Sequence, residues 1–157
     1  MNTGDQTDEI LIIGANPAGL LLAAQLLRFG IHPVIIDRKS SSSKISPSIL
    51  LQPRTFEIFN QLSLANELLH AGLECDGLTI QLENKVINYI SYAQWSSESG
   101  SSSLLNIEQR KIEEVLINYL AVKACPIYWN SELVSFNQDS NIVGILQAII
   151  NLTSHKS

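Results

Sequence analysis

The sequence is poor in positive charge: 10 Lys and Arg stand against 15 Asp and Glu, for a formal charge of −5. Nowhere do the basic residues cluster to neutralise a row of phosphates, so no nucleic-acid partner is expected. Cysteine is scarce as well. Cys75 and Cys125 lie too far apart for a metal clip or a redox dithiol, and both read as buried thiols in a reducing, cytoplasmic setting. Long apolar runs are missing: residues 10–13 and 18–27 are separated by Gly14, Asn16 and Pro17, and they follow Asp5, Asp8 and Glu9, where a signal peptide would carry positive charge. No membrane span is expected. His32, His70 and His155 are scattered without partners, which leaves no catalytic residue and no metal site to assign. Asn151-Leu152-Thr153 fits a glycosylation sequon, but nothing else points to secretion.

What the chain does have is 45% hydrophobic residues in 157, enough for one globular core. Residues 1–8 are polar and read as a flexible tail. Ile10-Leu11-Ile12-Ile13 is all apolar, as a parallel strand buried on both faces would be. After the turn Gly14-Ala15-Asn16-Pro17-Ala18-Gly19, residues 20–29 are rich in Leu and Ala and predict a helix ended by Gly30. Val34-Ile35-Ile36 predicts a second buried strand, closed by Asp37-Arg38. The order is that of a βαβ unit with parallel strands.

Beyond it, Ser40 to Ser43 predict a loop, and Pro47 and Pro53 bracket a connecting stretch. Residues 54–69 have helical spacing with an irregularity near Ser63, residues 78–92 alternate like strands, and residues 96–103 form a second serine-rich loop. A helix is predicted over 108–123. Runs at 127–129, 133–136 and 142–150 predict two or three strands of a β-meander.

A glycine-rich turn between strand and helix lets a pyrophosphate approach helix N-terminal amides with no side chain between. In the pattern G-x-G-x-x-G the first glycine makes the turn, the second admits phosphate and the third lets helix pack on strand. Gly14 and Gly19 occupy the first and third positions; Asn16 occupies the second and, of non-glycine residues, best tolerates a positive φ. Asp37 lies about 20 residues on, at the end of the second strand, where a carboxylate accepts hydrogen bonds from an adenosine ribose and repels a 2′-phosphate. The bland alternative is a turn that uses glycine for packing only, with Asp37 a solvated strand end. The fingerprint by itself does not separate NAD from FAD.

The segments DEILIIGANPAGLLLAAQLLRFGIHPVIIDRK, LQPRTFEIFNQLSLANELLHAG, IEQRKIEEVL and WNSELVSFNQD occur in the order of one family. The chain resembles the FAD-dependent aromatic-ring hydroxylases, the class A flavoprotein monooxygenases of the p-hydroxybenzoate and phenol hydroxylase type. The resemblance implies an α/β fold: a Rossmann-like FAD-binding core with parallel strands plus a β-meander, truncated relative to the full family fold. Residues 9–157 would be a single, incomplete FAD-binding domain, and 76–104 the start of the substrate-domain sheet.

Such enzymes hydroxylate small aromatic substrates with FAD, NAD(P)H and oxygen. By resemblance Gly14, Ala15, Asn16, Pro17, Ala18 and Gly19 would line the pyrophosphate, Asp37 with Arg38 would hold the ribose, and Gln109 would reach the flavin. Arg54 reads as an ordinary helix-start arginine. Two departures stand out. The second glycine is Asn16, and Ser46-Pro47-Ser48 replaces a Ser-Arg-Ala type segment. The sequence also lacks the family's later Asp-Gly and Gly-Asp segments, so activity of this chain alone is not expected without a partner chain or self-association. Two other readings stay open: a non-catalytic dinucleotide-binding or interaction module descended from such an enzyme, and a small NAD-binding subunit completed by another chain.

Overall fold

A computed structural model of the chain describes residues 10–42, 47–92, 104–138 and 143–149. The expected tail at 1–8, Ser43 and the serine-rich loop at 96–103 lie outside the described residues. Two compact units are present, one formed by residues 1–43 and 116–157, the other by residues 44–115.

In the first unit, β1 (Leu11–Ile13), α1 (Pro17–Arg28) and β2 (Val34–Asp37) form the expected βαβ unit. The strands pair in parallel, Leu11 with Val34 through Ile13 with Ile36. Helix α1 starts where Pro17, fixed in φ and without an N–H, takes the first helical position behind Asn16. It stops at a left-handed glycine: Gly30 has φ +76, its N–H reaches Leu27 O at 3.1 Å, and Ile31 N–H reaches Leu26 O at 3.0 Å. This pair of bonds satisfies two carbonyls that the helix end would leave open. Leu20, Ala23 and Ala24 of α1 are buried, as are Ile35 and Ile36 of β2.

The sequence expectation needs one correction here. Residues 127–129 do not belong to a meander: β8 (Ile127–Trp129) lies parallel to β2, Ile35 opposite Ile127, giving the sheet order β1-β2-β8. A three-residue apolar strand carries no mark of which neighbour it will pair with. The other two runs do form an antiparallel hairpin, β9 (Ser131–Gln138) with β10 (Val143–Ile149). Cys125, just ahead of β8, is buried, its Sγ donates to Pro33 O at 3.6 Å, and burial pushes the thiol pKa up.

In the second unit the irregularity at Ser63 is a true break between α2 (Pro53–Gln61) and α3 (Ala65–Ala71). Ser63 takes φ +62, and Leu64 N–H closes back onto Phe59 O at 3.0 Å. The stretch expected as a connection contains β3 (Ser48–Leu51). It joins β7 (Leu104–Glu108) and β4 (Leu73–Cys75) in an antiparallel sheet ordered β3-β7-β4. The alternating stretch is a hairpin of β5 (Gly77–Leu82) and β6 (Lys85–Ser91), turned by Glu83 and Asn84, both at positive φ. Helix α4 (Gln109–Val122) starts at the end of β7.

Candidate functional site

The turn between β1 and α1 is built by two glycines that meet. Gly14 sits at φ +109, a conformation closed to ordinary side chains, and donates its N–H to Ile36 O at 2.8 Å. Gly19 lies directly against it: a Cβ there would stand 2.1 Å from Gly14 O and 3.3 Å from Ile12 Cγ2. The first and third glycines thus have the geometric roles expected of them.

Asn16 departs from expectation. Its backbone is extended, φ −95 and ψ 173, so no positive φ is needed at the second position. It is the N-cap of α1. Its Oδ1 accepts from Gly19 N–H at 2.9 Å, and its backbone carbonyl accepts from Leu20 N–H at 2.9 Å. The sequence carries a signal for this, since Asn followed by Pro is a helix-start pair.

Asp37 is 6% exposed, and it faces the turn. Its Oδ2 accepts from Ala15 N–H at 2.7 Å and its Oδ1 from Lys39 N–H at 2.8 Å, with Lys39 Nζ 3.6 Å away. The carboxylate therefore ties the end of β2 to the glycine turn. Lys39, which the sequence reading left out, supplies one of its partners. Arg38 is exposed beside it.

Around the turn the amide inventory is short. Gly14, Ala15, Gly19 and Leu20 N–H groups are used and Pro17 has none. Among the described residues no hydrogen bond uses the N–H of Asn16 or Ala18, both exposed, and the first turn of α1 holds no acidic side chain. Uncovered amides at a helix start, approached over a glycine, suit an anion.

Gln109 belongs to the other unit. It opens α4, its N–H donates to Pro47 O at 3.0 Å, and its Nε2 donates to Glu113 Oε1 at 3.0 Å. Glu113 is fully buried, a position the sequence reading did not single out although it shares the apolar face of Leu116 and Leu120. Arg54 pairs with Glu57 one turn on, consistent with an ordinary helix arginine. Among the described residues no cluster of His, Cys, Asp and Glu is placed to hold a metal.

A family model described as an FAD binding domain matches residues 7–146. The chain belongs to this family of FAD-binding domains. The chain is also similar to named monooxygenases. Pentachlorophenol 4-monooxygenase of Sphingobium chlorophenolicum is 30% identical over 134 residues, covering 84% of this chain and 24% of the relative. The 6-methylpretetramide 4-monooxygenase of Streptomyces rimosus is 30% identical over 125 residues, covering 80% and 22%. The fold matches the crystal structure of p-nitrophenol 4-monooxygenase from Pseudomonas putida DLL-E4 with a TM-score of 0.79 at 19% identity, over 88% of this chain and 38% of that one. The chain spans less than a quarter of the length of these two curated relatives. FAD is the cofactor of the family, and the β1–α1 turn, with its close glycines and two uncovered amides, fits the pyrophosphate of such a group. Among the described residues no helix is long and apolar enough to cross a membrane.

Proposed function

We propose that this chain is the N-terminal FAD-binding part of a flavin-dependent monooxygenase that hydroxylates a small aromatic compound with NAD(P)H and oxygen. The observation that carries the reading is the glycine turn: Gly14 at φ +109 with Gly19 packed on its carbonyl, at the start of α1 in a chain of the FAD-binding family. When bound, the flavin supplies the redox chemistry and the protein supplies binding and orientation. The turn from Gly14 to Gly19 would receive the pyrophosphate at the amides of Asn16 and Ala18, with Ala15 and Pro17 in its wall. Asp37 would hold the ribose next to Arg38 through acceptor capacity left over from Ala15 and Lys39, since an ionised carboxylate has about four lone-pair sites. Gln109 would contact the flavin through its side-chain oxygen or the second hydrogen of its Nε2, the first being given to Glu113.

Residues 9–157 would then make one incomplete FAD-binding domain, with 76–104 opening the substrate-domain sheet; the apolar exposure of the β5–β6 hairpin supports this. The walls of the flavin site would come from further sequence, a partner chain or a second copy. Free thiols at Cys75 and Cys125 agree with a cytoplasmic setting. Calorimetric titration of the purified chain tests the reading. FAD should bind, and more tightly than NADP, whose 2′-phosphate would meet the Asp37 charge. No heat with FAD, or a preference for NADP, would refute it.

A further inference from the structure

We propose that the Asn16 carboxamide is an internal stand-in for a phosphate oxygen: it holds Gly19 N–H when no nucleotide is bound and gives that N–H up when one binds. The inference rests on the FAD-binding reading and concerns how this chain regulates its own site.

Asn16 fills the position where the glycine pattern would leave the turn bare. There its Oδ1 sits 2.9 Å from Gly19 N, on one of the helix-start amides that a pyrophosphate would otherwise meet. Two features make this bond exchangeable. Asn16 is exposed, so its side chain can rotate into solvent. The first turn of α1 also stays closed without it, because Leu20 N–H is bonded to the Asn16 backbone carbonyl and not to its side chain. The other side chain on a turn amide, Asp37, has neither freedom: it is buried at 6% exposure and holds two N–H groups at once. Asn16 is therefore the polar group that can leave. Its presence stabilises the turn before ligand arrives and subtracts from affinity when ligand comes.

The backbone at Asn16 makes a clean test possible, since any residue adopts φ −95. Asn16→Ala removes the cap alone. Without FAD it should melt lower by about 3 °C, yet bind FAD about five-fold more tightly, because one hydrogen bond of the protein no longer competes. Asn16→Asp keeps the cap and adds charge: it should melt no lower than the parent without FAD and bind FAD about ten-fold more weakly. Melting is followed by circular dichroism in the absence of FAD, and affinity by calorimetry.

Should Asn16→Ala bind FAD no more tightly than the parent while the parent does bind, Asn16 is a ligand contact and the inference is wrong, with the function intact. If the variant binds and the parent does not, Asn16 blocks the turn outright and never yields the N–H, and both the exchange and the FAD-binding reading of this chain are overturned. Absence of binding in both refutes both. An unchanged melting temperature in Asn16→Ala overturns the stand-in by itself, since a cap that stabilises nothing holds nothing.

Discussion

The glycine turn with its two strands and the β5–β6 hairpin are both rich in apolar residues, yet they treat them in opposite ways. In the first, Ile12, Leu20, Ile35 and Ile36 are buried, and the polar backbone around them is closed by Asn16 and Asp37. In the second, Leu82 is 63% exposed and Val86 64%, with Leu78, Ile80, Ile87 and Tyr89 also open. Backbone pairing alone gives a two-stranded ribbon little stability in water. The βαβ segment therefore buries the centre of its apolar set, with β8 closing the far edge of β2, whereas the hairpin leaves most of its apolar side chains open.

The sharpest way to break the contrast is at the glycine contact. Gly19→Ala places a methyl group 2.1 Å from the Gly14 carbonyl oxygen, and α1 must move off β1 to make room. A loss of about 3 kcal/mol in urea unfolding is expected; a loss below 1 kcal/mol would show the packing to be slack. Next comes Asp37→Ala, which strips the acceptors from Ala15 and Lys39 N–H and should cost about 2 kcal/mol, with Asp37→Asn intermediate. Equal midpoints for all three proteins would mean that the carboxylate tie adds nothing. Smallest is the hairpin: replacing Leu82 and Val86 together by Thr should change stability by less than about 0.5 kcal/mol while lowering light scattering from self-association. A large destabilisation there would show these side chains to be packed after all, and the contrast would fail.

The same contrast explains how much was legible in the sequence. The βαβ unit announces itself because its signals are local: an apolar strand, two glycines, Pro17, Gly30 and Asp37 fall within one short stretch. Ser63 is similar, its break being readable as a slip in helical spacing. By contrast β3, β4 and β7 owe their existence to partners far away in the chain. Ser48–Leu51 pairs with Leu104–Glu108, and nothing in either four- or five-residue stretch names the other. Strand β8 was visible as a strand but not as a parallel one. At the site, Gly14, Gly19 and Asp37 were found at once. The inward turn of Asp37, the extended backbone of Asn16 and the burial of Glu113 depend on side-chain geometry that spacing does not encode.

The position of β8 also bears on the order in which the first unit assembles. The Asp37 tie to the glycine turn spans a sequence separation of 22, whereas the contact of Cys125 with Pro33 that accompanies β8 spans 92. Closing the longer loop costs about 1.3 kcal/mol more in chain entropy, and distant pairings are made late for that reason. Strands β1 and β2 with α1 should therefore come together while the outer edge of β2 is still unpaired. During that interval Ile35 and Ile36 lie in an open strand edge, the element most prone to pairing with a second molecule. Refolding yield should accordingly fall with protein concentration until β8 has arrived.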